Sequence, residues 1–391
     1  MPTLIRTYAM DTALQQLTDQ IRAAAAAKTP LTLRGHGSKA FYGNPTQGEL
    51  LDTTAYCGIV SYEPSELVVI VRAGTPLVEL EAELAEKGQC LAFEPPRFDT
   101  PEAAGPGTCG GMVAAGLSGP ARASVGSVRD FVLGVELVNG RGEHLVFGGQ
   151  VMKNVAGYDV SRLMAGALGT LGLLTNISLK VLPVAPAEAT LMFQLDQASA
   201  LAQLHRWGGQ PLPLSASCWV RDDSAVGTPE LLFVRLRGAV AAVASAVKKM
   251  TQDAGGERMD DGQAINDWTA CRDQRLPFFT APASPGQPLT LWRLSLPQTA
   301  PVLNLPWPQL VEWHGAQRWL WAPVAAQTQI QQAAREAGGS ASIFRAIGAG
   351  DSSATERFDA LDPTLLAIHQ RLKNEFDPAG IFNPGRLYST L

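Results

Sequence analysis

Glycines recur at 105, 107, 110, 111, 116, 119 and 126, mostly with small residues between them, and no other stretch constrains the fold as tightly. Glycine costs stability unless the backbone needs dihedrals closed to other residues or must approach something closely. The run opens with Gly105-Pro106-Gly107-Thr108-Cys109-Gly110, a literal G-x-G-x-x-G, and Asp130 stands twenty residues further on. In a dinucleotide-binding βαβ unit that spelling follows a buried strand and opens a helix, and the acidic residue ends the second strand. Here Pro95, Pro96 and Pro101 stand upstream, which excludes a central strand. Asp130 precedes an apolar run, FVLGVELV at 131–138, instead of ending one. The spelling is not a Rossmann turn, and the glycines need another reason.

A chain of 391 residues exceeds a single average domain. With 46% hydrophobic and 17% charged residues it can bury a large core, which argues against disorder. The formal net charge is -5 and no basic block occurs, which excludes nucleic acid as a partner. The cysteines at 57, 90, 109, 218 and 271 form no C-x-x-C pair, so no metal site, zinc or iron–sulfur, is expected within this chain. Scattered, odd-numbered cysteines fit a reducing, cytoplasmic compartment. The start, MPTLIRTYAM, has no apolar signal core, and no apolar run reaches the ~20 residues of a membrane span. GAVAAVASAV at 238–247 is shorter and predicts a buried helix.

The spacing of Leu14, Leu17 and Ile21 predicts a helix over 11–27. LTLRGHGS then reads as a strand running into a glycine-rich turn, and ELVVIVRAG at 66–74 as a buried strand. Thr75 is placed to cap a helix with Pro76 at its first position, Gly88 past its end, and Leu77, Leu80 and Leu84 inside. Residues 131–147 predict a hairpin turning at 139–142. Residues 158–172 read as helical until Gly169, and 173–183 as a strand with Ile177, Leu179 and Val181 on one face. Pro183 and Pro186 mark a linker. The fold class is α+β, with domains over 1–185 and 186–391, the second smaller and cap-like, its C-terminal tail returning to the first. Five of the eight tryptophans, at 292, 307, 313, 319 and 321, crowd together as core packing or, alternatively, a partner interface.

Three ordered stretches carry a resemblance: Arg34-Gly35-His36-Gly37-Ser38 after a strand, residues 107–143, and residues 153–183. Together they resemble the FAD-binding domain of the vanillyl-alcohol-oxidase-like flavoproteins. The third stretch and the tail FDPAGIFNPGRL at 376–387 are similar to the FAD-binding (E) subunits of bacterial glycolate oxidase. The resemblance implies an FAD lying between two α+β subdomains, with 34–38 as its diphosphate loop. Backbone N–H groups in a glycine-rich turn form an anion nest, and only glycine lets the chain close around phosphate.

By the same resemblance, Gly107, Thr108, Gly110, Gly111 and Ser118 approach the ribityl and diphosphate. Gly126 and Asp130 lie beside the cofactor, with Asp130 equally readable as a helix or turn cap. Gly169, Thr170, Gly172 and Leu173 meet the adenine end, and Val71, Ala73 and Gly74 close that side. Asn383 contributes from the tail. Where some relatives attach FAD covalently through a histidine, this chain has Ser38, which implies non-covalent FAD. The histidines at 36, 144, 205, 314 and 369 form no metal-and-substrate motif, and no catalytic base is identified.

The implied role is the FAD-binding subunit of a glycolate (2-hydroxyacid) oxidoreductase complex. The implied partners are a sister FAD-containing catalytic subunit and an iron–sulfur subunit, and the small 2-hydroxyacid is reached through the complex. The implied location is the cytoplasm, with a possible place at the inner membrane face through the complex. Two rivals remain: a self-sufficient FAD oxidase using Tyr158 or Lys153 as base, and a non-redox scaffold with a vestigial flavin fold.

Overall fold

The computed structural model describes residues 2–98, 105, 107–149, 159–221, 227–282, 288–346 and 355–391, with backbone alone for 2–11. The chain divides into two compact units. The first is Met1–Leu117, Ser127–Pro183 and Ala360–Leu391; the second is Ser118–Gly126 and Val184–Asp359. Among the described residues no helix is long and apolar enough to cross a membrane. Lys153 and Tyr158 lie outside the described residues.

In the first unit, helix Pro2–Ala27 buries Ala13, Leu17, Ile21 and Ala24, one face at helical spacing, against Leu31, Leu51 and Phe382. Strand Leu31–Arg34 pairs in parallel with Glu49–Asp52. The main sheet is antiparallel, in the order Ile59–Glu63, Val68–Arg72, Leu173–Lys180, Val132–Val138, His144–Gly148. The last two strands form the expected hairpin. Helix Leu77–Glu86 buries Leu77, Leu80 and Leu84 against this sheet's core.

Three local expectations are corrected. Thr75 does not cap that helix: its Oγ accepts from Gly58 N–H at 2.8 Å and donates to the Arg72 carbonyl at 2.7 Å, and Pro76 occupies the cap position without a side-chain bond. The helix expected from 158 shrinks to Val160–Leu163. The cause is competition from tertiary contacts. Gly166 N–H and Leu168 N–H donate to the Val113 and Ala114 carbonyls, at 3.0 and 2.8 Å, near the C-terminal end of helix Cys109–Ala115. That crossing is glycine on glycine: a Cβ on Gly116 would stand 2.7 Å from Gly166 Cα. Third, the helix Val240–Ala254 is amphipathic, burying Val243, Ala246 and Met250 while leaving Val240 exposed.

The second unit is one eight-stranded antiparallel sheet. Side chains alternate across it. On one face, Leu191, Leu232 and Val234 pack under helices Gln197–Gly208 and Val240–Ala254. On the other, Thr190 accepts from Trp268 Nε1 of helix Asp261–Arg272 at 2.9 Å. Trp292, Trp313, Trp319 and Trp321 are buried. Each indole N–H has a partner: the Ala322 carbonyl, the Gly119 carbonyl, Glu312 Oε2 and the Phe278 carbonyl respectively. For these four the core-packing alternative holds; Trp307 is half-buried.

Candidate functional site

The first unit contains a cleft of about 80 Å³. Its lining includes Arg34 and Gly35 from the turn after strand Leu31–Arg34, and Gly110 and Gly111 from helix Cys109–Ala115. Gly169, Gly172 and Leu173 line it from the loop leading into strand Leu173–Lys180, and Asn383 from the tail. The lining also includes Thr53, Ala73, Ala114, Met164, Ala167 and Leu168. Ala73 was anticipated. The others are small or apolar residues that carry no motif, so the sequence offered no signal for them.

At one side of this cleft the backbone has donors to spare. The N–H groups of Gly35, His36, Gly37 and Ser38 make no hydrogen bond to any described residue. Gly37 has φ +78°, a left-handed conformation that turns successive amides the same way. The His36 imidazole Nδ1 is buried without a hydrogen-bond partner among the described residues. Ser38 is buried, and its hydroxyl accepts from Lys39 Nζ at 3.4 Å, which sets a cation beside the loop. Lys39 is a site residue the sequence reading missed; a lysine after a glycine-rich turn is a recognisable signal for anions.

The second glycine run is different. Gly110 N–H donates to the Ala73 carbonyl at 2.7 Å, Cys109 N–H to the Thr75 carbonyl at 2.9 Å, and Gly111 N–H to Thr108 Oγ at 3.2 Å. These amides are taken, so the expectation that 110–111 bind phosphate through the backbone is corrected. Thr108 caps the helix, its Oγ accepting from Gly111 N–H, which uses an acceptor lone pair and leaves the hydroxyl hydrogen to donate. The glycines allow the segments to cross: a Cβ on Gly110 would stand 2.7 Å from Ala73 Cβ, and one on Gly35 would overlap the Thr108 side chain. Gly107 takes φ +116°, and its carbonyl accepts from Leu77 N–H at 3.0 Å.

Of the remaining expected residues, Gly74 packs on its own chain, since a Cβ there would meet the Tyr56 carbonyl at 2.7 Å. Val71 is buried in the sheet core. Asp130 forms a reciprocal capping box: its Oδ2 accepts from Ser127 N–H at 2.8 Å and from Ser127 Oγ at 2.9 Å, so the cap alternative describes it. Ser118 and Gly126 belong to the segment grouped with the second unit and do not line the cleft. The Thr170 hydroxyl donates to the Ala167 carbonyl at 2.8 Å, shaping the loop from inside.

The tail locks the cleft's other side. Asn383 Oδ1 accepts from Leu33 N–H at 2.9 Å, and its Nδ2 donates to the Leu168 carbonyl at 2.7 Å. Lys373 Nζ donates to the Thr170 and Phe382 carbonyls at 2.8 and 2.7 Å, and to Asp377 Oδ2 at 2.8 Å. Burial pulls the Lys373 ammonium below its ordinary pKa, and Asp377 opposes that pull. Among the described lining residues Arg34 is the one with an ionisable side chain.

Unbonded amides at 35–38, an orphaned buried imidazole nitrogen and a floor of glycines fit a cofactor carrying a diphosphate. Comparison with known proteins agrees. Residues 10–148 match the FAD binding domain family, and residues 318–387 match the C-terminal domain of FAD linked oxidases. The structure is similar to p-cresol methylhydroxylase with a TM-score of 0.68 at 14% identity, covering 96% of this chain and 87% of that one, and to alkyldihydroxyacetonephosphate synthase with a TM-score of 0.65. At such identity the likeness shows the fold, the two-part FAD-binding α+β architecture. FAD is the cofactor these domains hold. The glycolate oxidase subunit GlcD of Bacillus subtilis is 30% identical over 45% of this chain and 37% of its own. The glycolate oxidase subunit GlcE of Escherichia coli is 46% identical over 96% of this chain and 98% of its own. The chain belongs to the family of the glycolate oxidase subunit GlcE.

Proposed function

We propose that this protein is the FAD-holding subunit of a glycolate oxidase assembly, and that the assembly, not this chain alone, oxidises the 2-hydroxyacid. The full-length similarity to GlcE carries the first part, and the GlcD relative points to a sister subunit. FAD supplies reversible two-electron chemistry when bound. This chain's own contribution is to grip and orient it. The amides of Gly35–Ser38 would take the diphosphate with Lys39 nearby. Gly110, Gly111, Gly169 and Gly172 would leave room for the rest, and Asn383 would hold two walls of the cleft together.

Removing hydrogen from the α-carbon of a 2-hydroxyacid needs a base within hydrogen-bond reach. The cleft's described lining has Arg34 and no such group, which supports placing the base on the sister flavoprotein. The scattered cysteines supply no cluster site, so an iron–sulfur subunit would carry electrons onward, with any membrane attachment supplied through the complex. The FAD-binding part would comprise residues 1–185 and the tail, held non-covalently because Ser38 offers no ring nitrogen for a flavin bond. The rival of a vestigial scaffold gives no reason for unpaired amides at 35–38. Purification with and without the sister subunit, followed by anaerobic addition of glycolate, tests the reading. Flavin bound in both preparations and bleached only in the assembly supports it. A colourless, flavin-free subunit overturns it.

A further inference from the structure

The second unit holds a cavity of about 630 Å³ between its sheet and helix Asp261–Arg272. It is open on one side, and its walls are mainly apolar, so an apolar occupant would remove that surface from water. Its volume lies within the range of small-molecule sites.

The walls say what would fill it. Trp268, Trp307, Trp321, Phe233 and Phe278 line it. Two of the indole N–H groups are already committed within the protein, Trp268 to Thr190 Oγ at 2.9 Å and Trp321 to the Phe278 carbonyl at 2.7 Å. These bonds brace the cavity and leave aromatic surface, not donors, for an occupant. The buried end is formed by Cys218 and Cys271. The Cys271 thiol donates to buried Glu312 at 3.2 Å; a hydrogen bond with Cys218, and then burial, push the thiol up, and burial pushes the Glu312 carboxyl up. The raised thiol makes Cys271 a poor nucleophile, which argues against a redox role for it. The charged side chains in the described lining are Arg221, exposed, and Asp267, which are of opposite sign.

We propose that this pocket within the second unit binds an uncharged, ring-bearing apolar small molecule. Glycolate is the wrong chemistry for it: a small anion gains nothing from aromatic walls and an uncharged floor. The inference stands independently of the flavin reading.

The test uses the full-length chain. Nile red, a neutral ring-bearing dye that emits to the red of flavin, is titrated in, with the anionic dye 1-anilinonaphthalene-8-sulfonate as charge control. Saturable one-to-one binding of Nile red is expected, at least tenfold tighter than the anion. Ala264 and Leu231 line the cavity from the helix and the sheet. Ala264→Trp and Leu231→Trp should each weaken Nile red at least tenfold while flavin content and circular dichroism stay native. Leu231 is the half-buried position, the more tolerant of the two if Ala264→Trp does not fold. Absence of saturable binding to the unmodified chain overturns the proposal. So does equal affinity for the anion, or unchanged Nile red affinity in a folded cavity-filling variant.

Discussion

Lys373 Nζ lies 2.8 Å from Asp377 Oδ2, one helical turn away, and both side chains are buried. The pair stitches three segments together. The ammonium also donates to the Thr170 and Phe382 carbonyls, while Asp377 accepts from Ile381 N–H at 3.1 Å and Phe382 N–H at 2.7 Å. The loop at 168–173 and the tail at 381–383, both lining the glycine cleft, therefore share one buried charge pair. Removing one partner leaves the other charge uncompensated, at about 3–5 kcal/mol. Lys373→Met should lower unfolding stability by that order and reduce FAD retention together. A denaturant midpoint within experimental error of the native protein, with FAD retained, would show the pair to be idle.

Two glycines separate ligand binding from folding. Gly37 sits at φ +78° in the loop with unbonded amides, and a β-branched side chain there is a backbone outlier. Gly37→Val should give protein with near-native circular dichroism and at least tenfold weaker FAD. Gly110 is helical and pressed on Ala73, whose carbonyl would lie 2.9 Å from an added Cβ. Gly110→Ala should instead destabilise the first unit, seen as a lower melting temperature in apoprotein and holoprotein alike. Stoichiometric FAD in Gly37→Val rejects the loop assignment.

His314 makes the second unit acid-sensitive. Burial lowers its pKa to about 4. Its Nδ1 and Nε2 lie 3.1 Å from Ser217 Oγ and 3.3 Å from Ser124 Oγ. In the unfolded chain a histidine titrates near 6.5. Between those values the unfolded state binds a proton that the folded state refuses, so stability falls as pH falls from about 6.5 toward 4. The loss from this group between pH 7 and 5 should be about 2 kcal/mol. His314 has φ 56°, which asparagine tolerates, so His314→Asn should flatten the slope without straining the turn. Urea midpoints at the two pH values measure it; an unchanged slope in His314→Asn rules the residue out.

Period and turn chemistry made most of the first unit legible. Leu77, Leu80 and Leu84, and the hairpin at 139–142, lie where the pattern puts them because local propensity and tertiary packing agree there. The site was legible only as a set of loops. The glycine-rich turn at 34–38 reads as an anion nest through a family resemblance, but nothing local reveals that the amides of Gly110 and Gly111 are consumed by Ala73 and Thr108. That depends on which segments meet. Likewise Gly116 and Gly166 are fifty residues apart in the chain, and their crossing, invisible locally, decided that a helical pattern after 160 would stop within one turn. The pocket of the second unit arises from residues contributed by many separate strands and loops, so no window of sequence displays it.

The last prediction concerns division of labour. Ser38 is buried, with its hydroxyl accepting from Lys39 Nζ, and in the proposed reading the loop would hold the cofactor by hydrogen bonds and charge, with no flavin–protein bond. Acid precipitation should release all flavin to the supernatant. The isolated chain should remain yellow on anaerobic addition of glycolate, because Arg34 in the cleft lining can bind an anion but cannot accept its proton. Trp292, Trp313, Trp319 and Trp321 are core residues of the second unit. Trp319 is buried and donates to Glu312 at 2.6 Å, and Trp313 donates to the Gly119 carbonyl at 3.0 Å. Truncating either to alanine opens a cavity costing about 3–5 kcal/mol, so Trp319→Ala should lower the melting temperature of the free subunit. Partner affinity, measured on the folded fraction, should change less than twofold. Rapid bleaching of the isolated subunit's flavin by glycolate would place the base on this chain and overturn the division; unchanged bleaching kinetics in the assembled complex after mutating the sister subunit's own base would do the same.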